Sequence, residues 1–108
     1  MDSDLLGRIT ALVAGGDFLV SSHGDDELAA DGISIRDVVA GIAQSESIRE
    51  YPDYQKGPCI LVLQRDATGS PIHVVWGIPM NRNRPAVLVT AYRPAPDQWD
   101  ATFTRRAR

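Results

Sequence analysis

This chain predicts an α+β fold, with N-terminal helices packed on one face of a three- to four-stranded antiparallel sheet. Three observations carry that prediction. Apolar residues recur at helical spacing as far as Ala43, and after Tyr51-Pro52-Asp53-Tyr54 the spacing changes to that of strands. The β-rich runs that follow are separated by short turn-forming segments, which suits antiparallel neighbours. The charge also changes sign there: residues 1–54 hold eleven acids against three arginines, and residues 55–108 hold eight bases against three acids. The net charge of −3 therefore hides a cationic strand half. Charges more than about 8–10 Å apart are largely screened at physiological salt, so a local field decides what binds. A site for an anionic partner is to be sought on the sheet.

The elements follow in order. Leu5, Leu6, Ile9, Leu12 and Val13 form one helical stripe. Ser3 is the expected N-cap, Asp4 suits the positive helix end, and Gly15-Gly16 stops the helix. Asp17 to Ser21 reads as a short extended piece. Ser22, with Asp25 three residues on, resembles a capping box opening a short helix through Ala30, with Gly32 at its C′ position. Only Leu28, Ala29 and Ala30 are available to bury, so this helix packs shallowly. The next helix has the fullest start signal: Ile33, Ser34, Asp37 and Val38 serve as staple, cap, acidic N3 and staple partner. Its stripe is Ile35, Val38, Val39, Ile42 and Ala43. Ser47 to Tyr51 supplies an edge strand. Cys59–Gln64, Ile72–Ile78 and Ala86–Tyr92 are the long strands. Residues 66–71 make a hairpin loop with Gly69 available for positive φ, and Asn81-Arg82-Asn83-Arg84-Pro85 makes a second, cationic one.

A length of 108 residues implies a single domain: an N-terminal helix over 1–16, a core over 17–99 and a basic tail over 100–108. The single cysteine, Cys59, rules out an intramolecular disulfide. The acidic opening has no signal-peptide pattern, and no apolar run approaches the ~18–20 residues of a membrane span. A cytoplasmic protein without membrane association is expected.

Alternation sorts the strand side chains. Ile72, Val74, Trp76 and Ile78 share one face, and His73, Val75 and Gly77 share the other. Val87, Val89 and Ala91 alternate with Leu88, Thr90 and Tyr92. Placing the aliphatic rows under the helices leaves His73, Thr90 and Tyr92 on the open face, with Arg93 just past a strand end. In the first long strand, either Cys59, Leu61, Leu63 and Arg65 or Ile60, Val62 and Gln64 join His73, depending on register.

The ordered set Ser21-Ser22-His23, Asp31-Gly32-Ile33-Ser34, Tyr51-Pro52-Asp53-Tyr54, Gly57-Pro58-Cys59, Pro71-Ile72-His73-Val74-Val75, Thr90-Ala91-Tyr92 with Pro94, and Trp99 resembles the bacterial domain-of-unknown-function family numbered 4258. The resemblance runs from about Phe18 to Trp99. It implies a compact relative of the RelE and MqsR ribonuclease toxins, small chains often paired with a zinc-ribbon antitoxin. Such toxins cut messenger RNA without a metal, using residues on the sheet face and near the end of the last strand. The sequence departs from the pattern at Gly24-Asp25-Asp26-Glu27, where many members carry basic residues. Its pI of 5.2 is low for such a toxin.

Metal-free RNA cleavage needs a base for the 2′-hydroxyl, an acid for the 5′-oxygen and a cation for the phosphorane. His73 is the candidate proton-transfer group, because an imidazole with a pKa near ~6.5 works in either direction; the competing reading is a buried, hydrogen-bonded histidine. Tyr92 is a candidate for base stacking or proton donation, against closing the sheet end. Arg93 is the candidate phosphate fork, against a solvated surface arginine. Lys56, Arg65, Arg82, Arg84 and Thr90 complete a candidate RNA surface, the charges otherwise being a solubilising loop face. His23 reads as a helix-to-sheet anchor. His23, Cys59 and His73 lack zinc-ligand spacing, so neither a metal nor another cofactor is expected. Adjacent Ser22-His23 is no triad, Cys59 reads as a small core residue, consecutive Asp25-Asp26-Glu27 do not share a helix face, and no Gly-rich phosphate loop occurs. The function expected is a toxin-like, metal-independent endoribonuclease acting on messenger RNA, on or off the ribosome. Its expected partner is a cognate antitoxin of the zinc-ribbon and helix-turn-helix kind. The alternative is a non-catalytic protein-binding module of the same fold.

Overall fold

The computed structural model describes residues 4–105. Within them, chain order runs α1 (Leu5–Ala14), β1 (Phe18–Val20), α2 (Ser22–Ala30), α3 (Ile35–Gly41), a 3-10 turn (Ile42–Gln44), β2 (Glu46–Tyr51), β3 (Cys59–Arg65), β4 (Pro71–Gly77) and β5 (Ala86–Tyr92). The α+β class is as the sequence predicts. The sheet needs correction: it has five strands in the order β1-β5-β4-β3-β2, and it is mixed. The extended piece at Phe18–Val20 pairs parallel to β5, Phe18 opposite Ala86 and Val20 opposite Leu88. Parallel neighbours need a long crossover, so no turn residue near either strand announces the pair.

Caps differ from expectation in detail. Ser3 lies outside the described residues, and Asp4 holds the N-cap position of α1 without a side-chain bond. Ser21, not Ser22, caps α2: its backbone is extended and its Oγ accepts from the Gly24 amide at 2.9 Å. Gly32, at φ +63, closes the same helix as expected, with its amide on the Ala29 carbonyl and the Ile33 amide on that of Leu28. Ser34 caps α3 by position only. Asp37, the expected acidic partner, instead accepts from the Ala67 amide of the β3–β4 hairpin at 3.2 Å.

The core fills the space between the helices and one sheet face. Leu5, Ile9 and Val13 of α1, Leu28 of α2 and Val38 of α3 meet Ile60, Val62, Ile72, Val74, Trp76, Leu88 and Ala91. Trp76 is fully buried, and its Nε1 donates to Gln64 Oε1 at 3.0 Å. Gln64 Nε2 in turn donates to the Val38 carbonyl at 2.7 Å. The chain of bonds joins β4, β3 and α3 and leaves no polar side-chain atom of this trio orphaned.

A bulge in β5 overturns the expected alternation there. His73 pairs with Tyr92 and Val75 with Thr90, but Trp76 pairs with Leu88, which leaves Val89 as the extra residue. Ala86, Leu88 and Ala91 therefore face the helices, while Val87, Thr90 and Tyr92 face away. α2 runs beside β5 where β1 stops. The Ser21 amide donates to the Leu88 carbonyl at 3.0 Å, and at the far end the Arg93 amide donates to Asp31 Oδ2 at 2.9 Å. The approach is close enough to require glycine: a Cβ on Gly24 would lie 2.8 Å from the Leu88 carbonyl oxygen and 2.9 Å from Leu88 Cδ2. Gly24→Ala is expected to lower stability by about 1–3 kcal/mol through overpacking, outweighing alanine's better helix propensity. A urea titration checks this; equal or greater stability would show that α2 can shift away from β5.

Candidate functional site

Register settles which β3 row shares the open face. Leu63 pairs with His73, and Cys59 pairs with Gly77. The face opposite the helices thus carries Cys59, Leu61, Leu63 and Arg65, then His73, Val75 and Gly77, then Val87, Thr90 and Tyr92. It divides into two halves.

The half near the β3–β4 hairpin is covered by the chain itself. His73 is 0% exposed. Its Nε2 lies 2.7 Å from the Phe103 carbonyl, and its Nδ1 lies 3.2 Å from the Tyr92 hydroxyl. A carbonyl only accepts, so Nε2 carries the proton; in the neutral ring Nδ1 then accepts from Tyr92. The Trp99 ring meets the imidazole edge-on, with centroids 4.4 Å apart. The competing reading of His73, a buried and hydrogen-bonded histidine, is what the geometry shows. His73 and Tyr92 do come together, as the sequence suggests.

Arg93 departs from them. Its Nη2 lies 2.9 Å from Asp66 Oδ2, and its amide is held by Asp31. Asp66 organises the hairpin: its Oδ1 accepts from the Thr68 amide, the Thr68 hydroxyl and the Ser70 amide at 2.7–2.9 Å. Those bonds, the Thr68 hydroxyl first, with Arg93 adding to them, bring its pKa down from 3.8 to about 2. Of the other expected RNA contacts, Arg65 donates to the Gly69 carbonyl at 3.0 Å. Arg84 forks onto Asp17, with Nη2 to Oδ1 at 2.9 Å, and this partner holds the Asp17 carboxyl below its usual range. Thr90 is half-buried opposite Val75. Arg82 and Lys56 are exposed, with no ion pair among the described residues.

The other half of the face is an open groove of about 540 Å³. Cys59, Gly77, Val87 and Val89 make its floor, residues too small to fill it. Ser21 and His23, at the start of α2, form one wall. Tyr54, Lys56 and Gly57 form the other, joined to Ile78 and Pro79. That second wall is a tight backbone junction. Ile78 N donates to the Pro58 carbonyl at 3.1 Å and Met80 N to the Lys56 carbonyl at 2.9 Å. Gly57 sits between them at φ +129, where a Cβ would overlap the Ile78 carbonyl. None of the eleven lining residues is acidic, in a chain that has fourteen acids. His23 is 68% exposed, and its Nε2 lies 3.7 Å from Glu27 Oε1 one turn along. The helix-to-sheet anchor expected of His23 is made by Ser21, whose Oγ donates to the Val89 carbonyl at 2.9 Å. Tyr54 and Met80 are each 45% exposed, and Leu19, across from Val87, is 60% exposed. Burial pushes the Cys59 thiol up, so it stays protonated at neutral pH.

The family model described as Domain of unknown function (DUF4258) matches residues 20–93. The chain belongs to this family. The DUF4258 segment begins at the last residue of β1 and ends one residue beyond β5, so it contains every lining residue of the groove. Trp99 and Phe103, which cover His73, fall outside it. No curated protein and no solved structure matches the chain. Among the described residues no helix is long and apolar enough to cross a membrane.

Sequence reasoning passed over Tyr54 and the groove floor. Their signal was present in Tyr51-Pro52-Asp53-Tyr54 and Gly57-Pro58-Cys59, two turn-rich motifs flanking one short loop.

Two expectations follow. Because the Asp66 pKa is depressed, the hairpin's carboxylate bonds persist fully above about pH 4 and are lost as pH falls through about 2. An NMR titration of the Thr68 and Ser70 amides should show a midpoint near 2; one near 3.8 would remove the assigned role of Asp66. His73→Ala should lower stability by on the order of 3 kcal/mol, leaving a cavity and removing the bonds that the imidazole makes to the Tyr92 hydroxyl and the Phe103 carbonyl. Thermal and urea unfolding measure it, and a loss under 1 kcal/mol would mean that the C-terminal cover is not held by His73.

Proposed function

We propose that this DUF4258 domain is a metal-independent endoribonuclease that cuts single-stranded messenger RNA in the open groove, in the manner of a toxin. The supporting observation is the groove's composition. An exposed histidine, a lysine and a tyrosine surround an apolar floor with no acid in the lining. The resemblance to the RelE and MqsR toxins, a cognate antitoxin as partner and a cytoplasmic location all belong to this proposal.

The chemistry assigns one role to each group. His23 takes the proton of the 2′-hydroxyl, with Glu27 Oε1 3.7 Å from its Nε2. The 2′-oxygen bonds to phosphorus and the bond from phosphorus to the 5′-oxygen breaks, leaving a cyclic phosphate and a 5′-hydroxyl protonated from solvent. Lys56 balances the charge that builds on the phosphorane. Tyr54 holds a base by its ring face. Exposure favours the groove over the His73 half: His23 is 68% exposed, whereas Trp99 and Phe103 lie over the buried His73 imidazole.

A non-catalytic protein-binding module is the second reading. Exposed Leu19, Tyr54 and Met80 around the groove favour it, as do the ion pairs that occupy Arg84 and Arg93.

Purified protein incubated with single-stranded RNA separates the readings. The wild type should yield cyclic-phosphate ends. His23→Ala should cut roughly 10²- to 10⁴-fold more slowly. Lys56→Ala should be slower by about 10²-fold. Loss of cutting in a folded His73→Ala protein, with His23→Ala unchanged, would move the chemistry to the covered half. No cleavage with or without ribosomes, and no growth arrest on expression, would leave the binding module.

A further inference from the structure

We infer that the groove is a sequence-tolerant slot for one unstacked nucleobase, so that the RNA is selected for being single-stranded and not for its base sequence. The inference rests on the RNA reading of the groove and names its substrate class more closely.

Reading a base requires donors and acceptors aimed at its edge, and a good bidentate pair discriminates by about 1–3 kcal/mol. The floor offers almost none. Gly77, Val87 and Val89 bring no polar side-chain atom, and Cys59 brings only a protonated thiol. The Ser21 hydroxyl has one hydrogen, already given to the Val89 carbonyl, and it accepts from Gly24. The wall carbonyls of Tyr54 and Lys56 each already accept an amide, from Gly57 at 3.0 Å and from Met80 at 2.9 Å. What remains is apolar area, the Tyr54 ring, the rim charge of Lys56 and the His23 imidazole, which the cleavage step assigns to the 2′-hydroxyl and not to a base edge. Those hold any base by its face and any phosphate by its charge, without telling bases apart. A duplex has no base to offer, because its bases are stacked and paired.

The shape agrees with this. A volume of about 540 Å³ lies in the range of pockets that enclose a small ligand. It exists because three strands place small residues side by side, whereas the same face nearer the hairpin carries Leu61, Leu63, His73 and Tyr92.

The test uses uncleavable 2′-O-methyl hexamers of A, C and U, a hexamer lacking its bases, and a duplex, with binding read by fluorescence anisotropy at one salt concentration. The three homohexamers should bind within about threefold of one another. The abasic strand and the duplex should bind at least about tenfold more weakly. Val87→Trp, which fills the floor, and Tyr54→Ala, in an exposed loop, should each reduce hexamer binding to the abasic level. One base preferred by more than tenfold would overturn sequence tolerance. Abasic binding equal to that of the hexamers, or no RNA binding at all, would overturn the slot. The expected binding pattern without cleavage of ordinary RNA keeps the slot and removes the nuclease reading. Cleavage with abasic parity does the reverse.

Discussion

The structure turns on Ser21, where a helix start, a strand end and a bulge are bound by one residue. Its amide donates to the Leu88 carbonyl, its hydroxyl donates to the Val89 carbonyl, and its oxygen accepts from Gly24 at the start of α2. Val89 is the extra residue of the β5 bulge, and the serine hydroxyl donates to its carbonyl. Because the serine is fixed, β1 must end there and α2 must begin against β5, closely enough to exclude a Cβ at Gly24. His23 then follows on the helix's first turn, and the groove has its wall. A single side chain thus couples the parallel pairing of β1, the docking of α2 and the position of the one exposed imidazole.

The open face is used in two different ways. Near the hairpin it is a second, smaller core. His73, Tyr92, Trp99 and the Phe103 carbonyl make a polar-aromatic cluster in which both ring nitrogens have partners. Asp66 and Arg93 brace the same end from outside and tie the hairpin to the far end of α2 through Asp31. At the other end the floor residues are small, and the walls are held by backbone bonds instead of large side chains. Rigidity without bulk produces a concavity. Chemistry can occur only where solvent and substrate reach, so the exposed histidine, not the buried one, has the stronger physical case.

Much of this was legible locally. The amphipathic stripe of α1, the Gly32 stop, the hairpin at Gly69 and the three long strands all come from spacing and turn chemistry, and all are present. Two of the caps were not. Whether Ser21 or Ser22 is the cap depends on which hydroxyl finds the Gly24 amide, and the choice is made by β5. Asp37 keeps its expected place in the first turn of α3, but its carboxylate accepts from the Ala67 amide, which the hairpin brings to it. The β5 alternation failed at one residue, Val89, because a bulge inserts a place into the count without altering the β character of the run. His73 illustrates the limit most clearly. Its row and its meeting with Tyr92 followed from alternation, but its burial depends on Trp99 and Phe103, contributed by a segment with no strand or helix pattern.

The charge pattern shows the same division. From the sequence alone came an α+β chain with an acidic helical half, a basic strand half and two histidines worth weighing. Those properties depend on neighbours within a few residues, which is why they could be read. The tertiary structure decided which cations stay free, pairing Arg84 with Asp17 and Arg93 with Asp66 while leaving Lys56 at a groove without acids. It also decided which histidine meets solvent. Both outcomes depend on contacts between residues far apart in the chain, and such contacts are set by packing and register, which no local pattern encodes.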